Sequence, residues 1–186
     1  MNDTSDKRFT TVKELLYWSY ANLAMAHYAI SNQEKKYTKV SFMVRARLYK
    51  GLMNGSMHIG TIMDDEKIKL INSDRCAYCG NNSDISIDHI LPRVKNGMES
   101  SDNYIRVCKH CNSSKGAKDL ITWFEQRGEF PPILILRRYL KIIISYCIEN
   151  NLMECSLSDS KLKDLPFDIS RVPTNYPSPD KLTLHK

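Results

Sequence analysis

Cys76-Ala77-Tyr78-Cys79 and Cys108-Lys109-His110-Cys111 are two C-x2-C pairs separated by 28 residues. Such a pair forms a knuckle that offers two thiolates to one ion, and two knuckles close a tetrahedral shell. One pair alone leaves a thioredoxin-like redox motif or unrelated disulfides open. Two pairs favour a metal site, with Cys76, Cys79, Cys108 and Cys111 as ligands of zinc. Four protein ligands leave no open position, so the ion braces the chain and does no chemistry. Binding of this kind supplies about 10–16 kcal/mol of apparent free energy, enough to fix a small two-stranded element. His110 is then a bystander, and Cys147 reads as a small core residue. Any fold open to this chain must bring residues 76–79 against 108–111.

A chain of 186 residues with 42% hydrophobic content can bury a core of its own. We expect one domain with appendages: a helical region over 1–72, a cysteine-bounded unit over 73–127, a helix within 128–155 and an extended, proline-containing tail over 156–186. The start, MNDTSDKRFTT, is polar and lacks the apolar core of a signal peptide. The most apolar run, ILILRRYLKIIISYCI, carries Arg137, Arg138 and Lys141 and is too short for a bilayer. The expectation is a soluble, cytoplasmic protein without a membrane partner, where cysteines bind metal more often than they cross-link.

The formal charge is +6, and its distribution says more than its size. Residues 1–32 balance to zero, whereas 33–50 carry Lys35, Lys36, Lys39, Arg45, Arg47 and Lys50 against Glu34 alone. Residues 91–118 carry Arg93, Lys95, Arg106, Lys109, Lys115 and Lys118 against Glu99 and Asp102. Two basic clusters of this kind suit a phosphate-bearing partner. On that ground Lys39, Arg47, Lys50, Arg93, Lys95, Lys115 and Lys118 are the expected nucleic-acid contacts.

Periodicity predicts a mainly α chain with a small β-hairpin. Thr11 and Glu14 have capping-box spacing ahead of a helix reaching about residue 31. A second helix is expected over Thr38–Lys50, stopping near Gly51 or Gly55, with Val40, Val44, Leu48 and Leu52 as its buried stripe. Residues 58–72 are ambiguous, with Asp64-Asp65-Glu66 a turn or helix start. A third helix is expected from Asn112 to Gln126. After Pro131-Pro132 a fourth, over 133–150, is apolar on nearly every side and so buried in the domain or at a subunit contact.

Between the knuckles, ISIDHILPRVKNG begins like a buried strand with Ile85 and Ile87 on one face. It then breaks its pattern at Asp88-His89, with Pro92 close behind; Ser101-Asp102-Asn103 follows, and the second knuckle runs into Asn112-Ser113-Ser114-Lys115-Gly116. In that order, C-x2-C, DHILP, G, SDN and CKHCNSSKG resemble the HNH nucleases, of the kind whose ββα-metal motif is braced by a four-cysteine zinc. The resemblance covers roughly residues 76–118.

It implies an endonuclease that hydrolyses DNA, duplex by expectation, to 5′-phosphate and 3′-hydroxyl ends. His89 would be the general base, and Asp88 a ligand of the catalytic divalent ion. Asn112 stands where many members have their last histidine and would be the second ligand; an amide oxygen there suits Mg²⁺ or Mn²⁺. Asn103 would hold the loop that aims the histidine, and Lys115 would contact phosphate. Histidine titrates near neutrality, as a base must, and a cation offsets charge on the phosphorane and the leaving oxygen. A helix beginning at Asn112 would present free N–H groups to the same anion. One geometric demand follows: on a regular strand Asp88 and His89 leave on opposite faces, so the strand must end or turn there. Restriction or anti-phage defence is the expected setting. An inactive zinc-braced DNA-binding module, or a homodimer or partner-directed nuclease, are the alternatives.

Overall fold

The computed structural model describes residues 8–60, 74–93 and 101–185, so Asp64-Asp65-Glu66, Lys95 and Gly97 lie outside the described residues. Helix α1 spans Val12–Ser31 behind Thr11, whose hydroxyl accepts from Glu14 N while the Glu14 carboxylate accepts from Thr10 N and Thr11 N. These bonds satisfy donors that a helix start otherwise leaves open. Helix α2 spans Lys39–Met53 behind Thr38 and packs along α1.

The expected α2 stripe is corrected at Val40, while Leu48 packs against the core. Leu52 is buried, but Val40 is 49% exposed, beside Phe42 at 43% and Met43 at 60%. Ser41 takes the inward position instead, and its hydroxyl bonds Thr38 N and the Glu34 carboxylate. Arg45 of the same helix lies over the Trp18 ring at 4.6 Å and donates to Asn22 Oδ1 at 3.1 Å.

Strand β1 (Ile85–His89) pairs antiparallel with β2 (Tyr104–Cys108), in the register Ile85 with Cys108 through His89 with Tyr104. The anticipated helix from Asn112 is two helices with an earlier start. Helix α3 runs Lys109–Lys115 from an N-cap at Cys108, and Gly116 (φ +52°) ends it; α4 then runs Leu120–Gln126 from Asp119. The start moves forward because Cys108 Sγ accepts from Cys111 N, making the knuckle itself the first turn. Asn112 therefore sits inside a helix and offers no free helix N-terminus.

Helix α5 (Ile133–Glu149) is buried in the domain along most of its circumference, including Ile135, Tyr139 and Ile143 at 0% exposure. Its first N–H groups have no side-chain cap. The returning tail supplies them, with Ile133 N donating to Thr183 O and Leu134 N to Leu184 O. Residues 156–185 are extended and broken by short 3₁₀ turns, yet they pack as a strap. Leu162, Phe167, Val172 and Leu182 are buried, and the Thr174 carbonyl accepts from Trp18 Nε1 and Asn22 Nδ2 on α1. Buried side chains from Phe9 to Leu182 form one continuous cluster that includes the cysteine-bounded unit.

Candidate active site

The hairpin carries different chemistry at its two ends. At the Ile85–Cys108 end the four thiols of Cys76, Cys79, Cys108 and Cys111 lie within 4.8 Å of one another, with Cys79 Sγ 3.8 Å from Cys108 Sγ. A tetrahedral shell with Zn–S bonds of about 2.3 Å sets sulfurs about 3.8 Å apart, so the donor set fits a structural zinc ion. Backbone geometry builds the first knuckle. Gly80 N donates to Cys76 O, Cys76 N to Asn81 O, and Gly80 takes φ +81°, a conformation that costs glycine little. Ala77 N donates to Arg106 O at 3.0 Å and ties this knuckle to β2. Among the described residues no other group of three or more histidine, cysteine or acidic side chains converges this way.

At the opposite end β1 stops at His89, whose ring meets Tyr104 edge-on at 4.8 Å. The chain bends at once and is clamped. Asn103 is fully buried; its Oδ1 accepts from Leu91 N at 2.7 Å, its Nδ2 donates to Leu91 O at 2.9 Å, and its own carbonyl accepts from Ile90 N. Arg138 of α5 in turn donates to the carbonyls of Asp102 and Ser101, at 2.8 and 2.9 Å. A chain of contacts thus runs from the core helix through the Ser101–Asn103 turn to the backbone just after His89.

Residues 76–118 match the HNH endonuclease family. The match spans about a quarter of the chain and covers both knuckles, the hairpin and α3. The CRISPR-associated endonuclease Cas9 of Corynebacterium diphtheriae is 40% identical over 53 residues. That stretch is 26% of this chain and 5% of the Cas9 length. No solved structure matches the chain.

Within the matched segment the apolar reading of β1 holds in part for Ile85, which packs against the core, and fails at Ile87. Ile87 is 62% exposed while Asp88 is buried at 6%. The Ser86 and Asp88 side of the strand carries the contacts with α3, so the polar positions face inward. Asn112 Nδ2 donates to Ser86 Oγ and to Ile87 O, both at 3.1 Å. Those bonds occupy the donor side of the amide and orient Oδ1 the other way. Asp88 receives the Tyr78 hydroxyl at 2.9 Å on Oδ2 and the Lys115 ammonium at 3.1 Å on the same oxygen. Strand alternation sends Asp88 and His89 to opposite sides, and β1 ends at that dipeptide.

Lys115 differs from the expected phosphate contact. It is 1% exposed, and its ammonium also donates to His89 O at 2.7 Å, so it is spent inside the site. Burial pushes its pKa down, and the Asp88 carboxylate only partly offsets this. The Tyr78 phenol is pushed well up by burial and by the neighbouring Asp88 charge, which keeps it a proton donor. The other expected contacts that are described, Lys39, Arg47, Lys50, Arg93 and Lys118, are all exposed; Lys118 also donates to Ser114 O. A cavity of about 620 Å³ lies elsewhere, lined by Tyr17, Met57, His58, Lys141 and Ile148 among others, and includes no HNH residue. Among the described residues no helix is long and apolar enough to cross a membrane.

Sequence reasoning missed Tyr78, Ser86 and Arg138. Tyr78 stood in plain view between two predicted ligands. Arg138 carried a weaker signal, one of three basic residues with Arg137 and Lys141 in a largely apolar helix, and a buried arginine must find acceptors.

Proposed function

We propose that this protein is a metal-dependent endonuclease that hydrolyses phosphodiester bonds in DNA. The observation that carries the reading is the anchoring of His89, whose following residues are clamped by a buried Asn103 inside the segment that matches the HNH family. His89 serves as the general base and takes the proton of the attacking water. Asp88 and Asn112 are the residues that would hold a divalent ion, Mg²⁺ or Mn²⁺, and each keeps an oxygen suited to it. Among the described residues Asp88 Oδ1 has only a 3.4 Å contact with Lys115. Asn112 Oδ1 accepts no hydrogen bond among the described residues, its amide being held through Nδ2. When bound, such an ion offsets charge on the scissile phosphate and the departing oxygen. Lys115 pairs with the Asp88 carboxylate and fixes the His89 carbonyl. Lys39, Arg47 and Lys50 on α2, with Arg93 and Lys118, supply the phosphate contacts.

His89→Ala is expected to abolish plasmid nicking in Mg²⁺ or Mn²⁺ while zinc content, melting temperature and DNA binding stay at wild-type values. Undiminished cutting by that variant would remove the assignment, and full binding without cutting by the wild-type protein would leave an inactive DNA-binding module. A second reading, a nuclease subunit directed to its target by a partner protein, draws on the exposed Val40, Phe42 and Met43 of α2. Specific cutting by the purified chain alone would count against it.

A further inference from the structure

The first knuckle does more than hold two thiolates. Tyr78 lies between Cys76 and Cys79, is 1% exposed, and its ring is wedged against Trp123 at 5.1 Å and Phe124 at 5.8 Å. Its position is therefore set from two sides, by the knuckle backbone and by α4. From there its hydroxyl donates to Asp88 Oδ2 at 2.9 Å.

The carboxylate it meets is unevenly satisfied. Oδ2 takes both the Tyr78 hydroxyl and the Lys115 ammonium, at 2.9 and 3.1 Å, which uses its two lone pairs. Among the described residues Oδ1 has a single long contact, 3.4 Å to Lys115. Two donors on one oxygen stop the carboxylate from rotating and leave the other oxygen to an ion. Lys115 does this at a cost, since its charge also repels an incoming cation. Tyr78 is neutral and orients the group without that repulsion.

We propose that Tyr78 is a positioning residue for Asp88, coupling the four-cysteine site to binding of the catalytic divalent ion. The proposal rests on the reading of Asp88 as a ligand of that ion. A knuckle that loses its zinc releases the backbone on both sides of Tyr78, and the Asp88 carboxylate loses the donor that selects its free oxygen. Partners that orient a ligating carboxylate commonly govern metal affinity by about 10–100-fold.

The test compares Tyr78→Phe with wild type in three measurements: zinc per chain by elemental analysis, Mn²⁺ affinity without DNA by electron paramagnetic resonance, and the Mg²⁺ dependence of plasmid nicking. Tyr78→Phe is expected to keep one zinc per chain and to bind Mn²⁺ about 10-fold more weakly. Its half-maximal Mg²⁺ concentration rises by the same factor, and its rate recovers at saturating Mg²⁺. A hydroxyl that is only structural would lower the melting temperature and leave Mn²⁺ affinity unchanged, which would overturn the proposal. Asp88→Asn separates the two layers. If it binds Mn²⁺ like wild type, the ligand reading has failed; if it loses Mn²⁺ while Tyr78→Phe does not, only the coupling has failed. Should Tyr78→Phe not fold, cadmium NMR of the cadmium-loaded wild-type protein decides. Saturating Mg²⁺ is expected to shift the cadmium resonance, and an unmoved resonance would overturn the coupling.

Discussion

Arg138 shows how a single buried charge can serve a site it does not touch. The residue is 3% exposed on α5, and its guanidinium donates to the carbonyls of Ser101 and Asp102, which form the turn carrying Asn103. A planar, multi-donor group suits two adjacent acceptors better than a point charge does. Arg138→Met keeps the apolar stem but removes the donors to both carbonyls, at a cost of about 2 kcal/mol. Urea denaturation is expected to show that loss with an unchanged slope, and nicking is expected to fall with zinc content intact. Equal stability of the variant would mean that the turn holds itself. The same logic applies to Lys115. A lysine three residues after Asn112 looks like a solvated phosphate contact until Asp88 is found buried against it.

At the scale of elements, α1 depends on its first turn. The Thr11–Glu14 box supplies acceptors for Thr10 N, Thr11 N and Glu14 N, and Thr11→Ala is expected to cost about 1 kcal/mol. The donors from Thr10 and Thr11 hold the Glu14 carboxyl below its usual range. A carboxylate favoured in the folded state adds stability above its unfolded pKa and loses it as pH falls through the lower folded value. Wild type is therefore expected to lose stability more steeply than Glu14→Gln on acidification from about pH 5 to about pH 3. Parallel curves would show that the exposed box contributes no pH dependence. The hairpin is the opposite case. Two strands alone are marginal in water, and here the knuckle bond Ala77 N to Arg106 O and the packing of α3 support it.

Over the whole molecule, the strap of residues 156–185 closes the N-terminal helices and α5 into one core, capping α5 and bonding Trp18 and Asn22 of α1. Lys39, Arg47 and Lys50 stay outside that core, whereas Lys115, Arg138 and Lys141 are buried. Helix α2 has Lys39, Arg45, Arg47 and Lys50 with no acidic residue, and all but Arg45 are exposed. If these face phosphates, the logarithm of the DNA-binding constant falls linearly with that of salt, and each lost contact lowers the slope by about 1. The combined Lys39→Ala, Arg47→Ala and Lys50→Ala variant is expected to flatten that slope without altering zinc content. An unchanged slope would place the phosphate contacts elsewhere.

Local chemistry was legible in the sequence wherever spacing carries it. Two C-x2-C pairs announce a thiolate cluster, Thr11 and Glu14 announce a helix start, and DHILP, SDN and CKHCNSSKG announce an HNH segment. What only the tertiary structure decided is which polar groups are inside. Strand alternation is symmetric, so nothing local could tell that Asp88 rather than Ile87 faces inward, nor that Val40 faces out. The strap likewise depended on distant carbonyls. Burial and long-range hydrogen bonding are properties of pairs far apart in the chain, and no window of neighbouring residues contains them.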